Sequence, residues 1–344
     1  MKLYVLTIWA ALSIISCSES KKSPDVSNIK VNLEVQRFDQ DLFNLDTSNM
    51  QASLVKLQQR YPSFLKDFMD NILGIPIEDP EAPIVLKQYI KEFQPVYALT
   101  QKKFADFSLY SKEVIEMLKL VKYYFPNYPL PKKLIPFIGP MDAFYQSSLG
   151  WSGDIITSEG LGIGLQLHLG KDADLYAEAE GRGYPAYISK RFEPEYIIVN
   201  TTKNVIDDIH PMIKDEETLI NQFIDKGKRL YVLDLLLPTV HDSLKIGYTG
   251  KQLEASEKNE GLIWTYFLEN NLLFEKDFQK IKPFLTEGPK TQELGDESPG
   301  FIGLFVGKKI VEQFMEKHPE ITVSQLLEYD NQKLFEDSKY KPKR

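Results

Sequence analysis

The stretch DIITSEGLGIGLQLH, residues 154–168, decides the predicted fold because it holds two apolar runs of strand length with a turn between them. Residues 154–157 and 161–168 are the predicted strands, and residues 158–160 favour a tight turn. The glycines at 160, 162 and 164 are not followed by the glycine, lysine and helix of a phosphate-binding loop. We therefore expect a closely packed or bulged strand at these glycines.

Two further strands are predicted upstream of this stretch. Residues 31–37 alternate apolar and polar side chains, and residues 134–138 form a short apolar run. Together the four strands predict a small, antiparallel-rich sheet built from residues 31–38 and 134–168. Helical spacing of apolar residues is found near residues 47–70, 84–124, 194–209, 215–236, 249–270, 298–318 and 322–336. The predicted fold class is α+β and predominantly α-helical, with the helices packed around this sheet.

Composition excludes several classes of protein. The chain has 344 residues, of which 43% are hydrophobic and 12% aromatic, so it is not an intrinsically disordered protein. A single cysteine excludes an intrachain disulfide and a cysteine-rich metal site. The formal net charge of -8 argues against nucleic acid as a partner, because binding to phosphates requires a basic surface.

The N-terminus predicts the cellular compartment. Residues 1–16, MKLYVLTIWAALSIIS, have the positive start and the short apolar core of a signal peptide. Ile14-Ile15-Ser16-Cys17 then resembles the lipobox of bacterial lipoproteins, in which the cysteine carries acyl chains. We predict a lipoprotein signal peptide over residues 1–16, lipidation of Cys17, a tether over residues 17–29 and a single domain over residues 30–344. The alternative is an ordinary secretory signal with an incidental cysteine.

The histidines are candidate metal ligands. The sequence contains no His-Glu-x-x-His signature of a metallopeptidase helix. Asp207 and His210 are one helical turn apart, and His241 lies in a later loop, so these three residues are a weak alternative site. Two ligands without a visible third do not make a zinc site. We therefore expect His210 to cap a helix end, favoured by the helix dipole and by Asp207.

The segment after residue 295 predicts a closely packed helix. Ser298 is expected to cap a helix that begins at Pro299. Gly300, Gly303 and Gly307 then follow one side of that helix, where the absence of a Cβ lets another backbone approach. Tight packing is the favoured interpretation, and a ligand pocket is the alternative.

Segments spread along the chain resemble a known family. They are VQRFD (35–39), YYFP (123–126), GLQ (164–166), LGKD (169–172), RFEPEY (191–196), LDLLLP (233–238), KIGYT (245–249), EGLIWTYF (260–267), ESPG (297–300), GKKIV (307–311) and SKYKPK (338–343). In order and spacing they resemble the gliding motility lipoprotein GldB family of Bacteroidota. The resemblance implies a lipid-anchored component of the cell envelope that is linked to the gliding machinery.

The same resemblance implies a remote likeness to zincin-type zinc peptidases. In those enzymes an edge strand precedes the helix that carries the metal ligands. Here the strand at 161–168 is followed by a helix near 196–205 that lacks both histidines, and the later helix around 225–231 has no glutamate. Without imidazole ligands the protein cannot hold the metal or activate its water. The resemblance thus implies a zincin-like layout that lacks the metal motif, without a cofactor or catalytic residues, serving in binding.

Three hypotheses follow for the function. The first is a non-catalytic envelope lipoprotein of the gliding machinery, facing the periplasm, whose partners are the lipid bilayer and other envelope or motility proteins. The second is a divergent hydrolase with a site near Asp207, His210 and His241. The third is a ligand-binding lipoprotein, which ranks last because no two-lobed pattern is visible. Tyr248, Trp264 and Tyr266 are candidate contact points for partners, with a role in the core as the alternative.

Overall fold

A four-stranded sheet organises the first half of the chain in the computed structural model, which describes residues 23–177, 183–212 and 217–342. The strands are β1 (Glu34–Val35), β2 (Lys133–Phe137), β3 (Tyr145–Ser147), β4 (Gly150–Ser152), β5 (Ile155–Ile156) and β6 (Leu161–Gly164). The order in the main sheet is β1-β2-β6-β5, and β3 and β4 form a separate antiparallel pair. Residues 1–22, with the predicted signal peptide and Cys17, lie outside the described residues.

Helices make up most of the remaining structure. They are α1 (Phe38–Phe43), α2 (Met50–Arg60), α3 (Phe64–Asp67), α4 (Ala82–Phe104), α5 (Ser108–Tyr124), α6 (Ala186–Ser189), α7 (Tyr196–Ile209), α8 (Leu219–Leu236), α9 (Asp242–Ile246), α10 (Gly250–Lys258), α11 (Glu260–Glu269), α12 (Phe278–Leu285), α13 (Ile302–Lys317), α14 (Val323–Glu328) and α15 (Asn331–Ser338). A π-helical turn at Phe68–Ile72 and 3₁₀ turns at Leu165–Leu167, Asp174–Tyr176 and Gln292–Leu294 complete the elements. The predicted class, α+β and predominantly α-helical, is confirmed.

The pairing of the strands differs from the prediction of an antiparallel-rich sheet. β1 pairs with β2 in parallel, and β2 pairs with β6 in parallel; β5 and β6 alone in this sheet are antiparallel. The reason is the length of the connections. β1 reaches β2 through the helices α1 to α5, and parallel strands require such a long crossover. β5 and β6 are joined by the predicted tight turn, in which the Thr157 N–H donates to the Gly160 carbonyl at 2.9 Å.

Several predicted boundaries are corrected. β6 ends at Gly164, and a 3₁₀ turn replaces the rest of the predicted strand. The long helix predicted near 84–124 is divided into α4 and α5, and the one predicted near 249–270 is divided at Asn259. The hairpin of β3 and β4 and the helix α12 were not predicted, because their apolar runs are short.

The predicted close packing of the glycine strand and the glycine helix is confirmed. A Cβ on Gly162 would lie 2.7 Å from the Ile155 side chain, which faces it from the neighbouring strand. A Cβ on Gly307 would lie only 1.7 Å from the Phe223 carbonyl oxygen, and one on Gly227 would lie 2.2 Å from the Gly307 carbonyl oxygen. Helices α8 and α13 therefore cross with their backbones in contact, and no side chain can be added between them.

The cap predicted for α13 is wrong. The helix begins at Ile302, and its N-cap residue is Phe301 in a left-handed conformation, with φ of 60°. Ser298 instead lies in the preceding loop, where its hydroxyl donates to the Thr291 carbonyl at 2.8 Å.

At the other end of the chain, Val26 in the predicted tether packs against the main core. None of the helices in the described ranges combines the length and the apolar content that a membrane span requires.

Candidate functional site

One face of α7 carries polar side chains into the interior. Asn200, Lys203, Asn204 and Asp207 follow helical spacing and so lie on the same side of the helix. The other sides of α7 are mainly apolar, and most of their side chains are packed in the core, for example at Val205. Because buried polar groups require partners, the contacts of this face show what it is built against.

The polar face of α7 packs against the segment that contains β4. Asp207 accepts hydrogen bonds from the Ser148 N–H at 2.8 Å and the Ser148 hydroxyl at 2.5 Å. Lys203 Nζ donates to the Leu149 carbonyl at 3.2 Å, and Asn200 Nδ2 donates to Asp154 Oδ2 at 3.0 Å. We call Ser148, Asp154, Asn200, Lys203 and Asp207 the polar layer. It joins α7 to the hairpin of β3 and β4.

Arg229 on α8 closes the polar layer from the second side. Its guanidinium is completely buried and donates to Asp207 Oδ1 at 2.8 Å and to Asp225 Oδ2 at 3.0 Å. It also donates to the carbonyls of His210 at 2.5 Å and Pro211 at 3.0 Å. This arginine therefore ties the end of α7, the segment after it and α8 to one charged centre, and each partner is an acceptor.

The charge of Asp225 is strongly favoured in this environment. Burial raises the pKa of its carboxyl group, but the His210 imidazole and the Arg229 guanidinium outweigh burial and hold that pKa at about 2. Burial lowers the pKa of Lys203 to about 8, and Arg191 acts in the same direction. Asp225 is thus paired with Arg229, whereas Lys203, which donates to the Leu149 carbonyl, holds its proton less tightly than an exposed lysine.

Asp207, His210 and His241, the weak alternative site, do not share a common set of partners. Asp207 and His210 share Arg229 as a partner. His210 caps the C-terminus of α7, as expected, but its imidazole lies 3.4 Å from Asp225, and the Asp207 carboxylate is engaged by Arg229 and Ser148. His241 contacts its own segment, where its Nδ1 accepts from the Ser243 N–H at 3.2 Å at the start of α9. Within residues 23–177, 183–212 and 217–342, no group of three or more histidine, cysteine, aspartate or glutamate side chains is placed to hold a metal ion.

A buried histidine–aspartate pair was missed by the sequence analysis. His168 and Asp154 are both almost completely buried, and His168 Nε2 lies 2.9 Å from Asp154 Oδ2 and 3.0 Å from Oδ1. His168 Nδ1 faces the Glu193 carbonyl at 3.2 Å, so both ring nitrogens face acceptors. The Gly164 N–H also donates to Asp154 at 2.9 Å. Both residues belong to the stretch 154–168, and the sequence predicts two strands there with a short turn between them. Such a hairpin brings the two ends of the stretch together, so the pattern could have indicated that Asp154 and His168 are neighbours.

A small cavity opens beside the polar layer. It has a volume of about 100 Å³ and is lined by Ser148, Asp225, Lys226 and Phe301 among others. At its edge Arg191 and Glu287 form a bidentate ion pair, with both N–O distances at 2.6 Å. This volume is below the 300–1,000 Å³ or so that is typical of small-molecule sites.

The chemistry of the polar layer is that of a structural joint. A serine nucleophile is activated by a general base, such as an imidazole or an amine, that accepts its proton. The Ser148 hydroxyl instead donates directly to the Asp207 carboxylate, which is already bound to Arg229. The arrangement holds α7, α8 and the hairpin of β3 and β4 in fixed positions, because loss of any one partner leaves a buried polar group unpaired.

Comparison with known proteins gives one family. Residues 19–342 match the family model described as gliding motility protein GldB. The comparison with curated proteins found no match, and neither did the comparison with solved structures. The resemblance of the sequence segments to this family is confirmed, whereas the remote likeness to zincin-type peptidases and the hydrolase alternative gain no support.

Proposed function

Because the chain belongs to the GldB family of gliding motility proteins, we propose that it acts as a non-catalytic, lipid-anchored component of the cell envelope. In this role it supports the gliding machinery or its assembly. The observation that carries the proposal is the family match, which extends from residue 19 to residue 342 and so includes nearly all of the chain after Cys17.

The proposed anchor is Cys17. The short apolar core of residues 1–16 and the small residue before the cysteine support lipidation at this position. Each CH₂ group buried in the bilayer contributes about 0.8 kcal/mol, so two or more acyl chains hold a protein stably at a membrane. The folded part would then face the periplasm, with the bilayer and other envelope or motility proteins as its partners.

The non-catalytic role is supported by the state of the polar layer. Its two carboxylates, Asp154 and Asp207, each accept hydrogen bonds from buried donors. A general base must be able to reach a substrate proton. In this structure both carboxylates are occupied by hydrogen bonds that join neighbouring elements of the fold, which is consistent with a binding or scaffolding protein.

The anchor is tested with the variant Cys17→Ala and the matched control Ser18→Ala. Cells are fed an alkyne-labelled fatty acid, and label on the protein is measured together with its share in the membrane fraction. We expect Cys17→Ala to lose the label and to leave the membrane fraction, while Ser18→Ala keeps both. Membrane association and labelling that persist in Cys17→Ala would refute the anchor.

The role in motility is tested by complementation. A gliding bacterium that lacks its own family member receives this chain, the Cys17→Ala variant or an empty vector, and the spreading of colonies is measured. We expect recovery with the chain alone. Absence of recovery with a correctly localised chain would contradict the motility role.

Cleavage of a peptide library by the purified protein, abolished in Asp207→Asn but retained in the exposed control Asp172→Asn, would contradict the non-catalytic role.

A further inference from the structure

Helix α11 exposes two leucines on its outer side, beside Thr265 and Glu269, in addition to its apolar inner side. Ile263, Trp264 and Phe267 face the core and are buried. On the outside, Leu262 is 71% exposed and Leu268 is 49% exposed. Nothing in the described part of the chain covers the outer side of α11 at Leu262.

A groove runs beside this exposed side. It lies between α10 and α11 on one wall and residues 293–299 on the other, and its volume is about 460 Å³. Leu262, Ile263, Tyr266 and Leu294 provide its apolar lining. The volume is sufficient for several side chains of a bound segment and is more than four times that of the cavity at the polar layer.

The second wall of the groove is acidic. Glu293, Asp296 and Glu297 line it, and all three are exposed. Asp296 is paired with Lys290, which leaves the wall with an excess of negative charge. Burial and the nearby Glu293 carboxylate raise the pKa of Tyr266, which is consistent with a negative field inside the groove.

We infer that this groove binds a helical segment of another protein that carries aliphatic residues on one face, with lysines or arginines beside them. The aliphatic face would cover Leu262 and Tyr266, and the basic residues would meet Glu293 and Glu297. Docking of an amphipathic helix into an apolar groove is a common mode of protein recognition, and complementary charge fixes the partner and its orientation.

Charge also distinguishes this occupant from two others. A second copy docked by the same surface would bring two acidic walls together, which is unfavourable. An anionic bilayer surface would be repelled for the same reason. The inference goes beyond the proposed function, because it names a surface and the chemistry of its partner and does not require the partner to belong to the gliding machinery.

The experiment is site-specific photo-crosslinking of the full chain in living cells, followed by mass spectrometry of the cross-linked peptides. The photoreactive residue replaces Leu262, and the matched control replaces Leu109 on α5, which is 61% exposed. Both positions are open to solvent, so neither replacement removes core packing. The same measurement is made with Glu293→Lys and Glu297→Lys combined, and with Glu316→Lys on α13 as the charge control.

We expect the probe at 262 to capture one basic, aliphatic segment of a different protein, with a yield well above that at 109. Reversal of the two glutamates lowers this yield by about tenfold, as like charges replace two attractive pairs, while Glu316→Lys leaves it unchanged. Capture of a second copy, of lipid or of an acidic segment would overturn the inference. So would equal yields at 262 and 109, or a yield that is insensitive to the charge reversal. A protein that fails in motility and still captures the basic segment refutes the proposed function alone.

Discussion

The buried pair of Asp154 and His168 gives the sharpest test of the structure. In Asp154→Asn the carboxylate becomes a neutral amide with a single acceptor oxygen. That oxygen would have to serve the donors on His168, Gly164 and Asn200, which the carboxylate now satisfies at 2.9 to 3.0 Å. At least one buried donor is left unpaired, and the imidazole loses its charged partner.

The cost can be worked from the general behaviour of such pairs. A buried donor that is left without a partner costs about 1–3 kcal/mol, because its desolvation is no longer compensated. With a urea m-value of about 3 kcal/mol/M, this loss shifts the midpoint of unfolding down by about 0.3–1 M. The assay is urea unfolding followed by circular dichroism on the protein with and without the substitution.

The control is Asp172→Asn, which makes the same chemical change at an exposed turn. Surface substitutions of this kind change stability by about 0.5 kcal/mol or less. If Asp154→Asn unfolds at the same urea concentration as Asp172→Asn, the pair contributes nothing and the reasoning is wrong. A changed m-value without a changed midpoint would instead indicate an altered compactness of the denatured or native state, or a loss of two-state unfolding.

Two further predictions concern the helix crossing and the response to acid. Gly307→Ala forces a Cβ against the Phe223 carbonyl and should destabilise the protein by several kcal/mol, or abolish folding. The control Gly261→Ala, with no atom within 4 Å of the added Cβ, should stabilise the protein by about 1 kcal/mol. Equal urea midpoints for the two variants would contradict this prediction. Asp225 and Asp242 have folded-state pKa values of about 2 against an ordinary value of 3.8, so their contribution to stability is complete above about pH 4 and is lost as the pH falls towards 2. Burial raises the pKa of Asp242, but the ammonium of Lys308 and the ion pair with Lys245 lower it further. Urea midpoints at pH 7, 4 and 2.5 should therefore fall mainly over the last step, and Asp242→Asn should reduce that fall; a midpoint independent of pH would refute the assignment.

Local patterns in the sequence predicted local structure well. The apolar runs of β2 and β6, and the turn that joins β5 to β6, were predicted because each signal lies within a few residues. The close packing at Gly307 was predicted for the same reason, since the spacing of small residues along a helix is itself visible. The direction of pairing between β1 and β2 was not, because it depends on a connection of almost one hundred residues.

The polar layer shows where sequence reasoning stops. Asp207 and His210 were singled out together, but the residue that joins them is Arg229, which lies on the next helix and has no motif around it. Asp154 and His168 both belong to the stretch 154–168, where the apolar pattern predicts only strand ends at these positions. The role of a buried charged residue depends on its partners. Those partners come from other elements of the fold, and the packing of these elements is not visible in the local sequence.

The parallel pairing of β1 has a mechanical consequence for a protein held by its N-terminus. After Val26, the first element that the chain enters is β1, a strand of two residues at the edge of the sheet. Its link to the sheet consists of few bonds, among them the donation from Glu34 N–H to the Lys132 carbonyl and from Gln36 N–H to the Leu134 carbonyl, both at 2.9 Å. With an anchor at Cys17, tension between the bilayer and a moving partner would reach the contact of Val26 with the core and then this short strand, ahead of the helices.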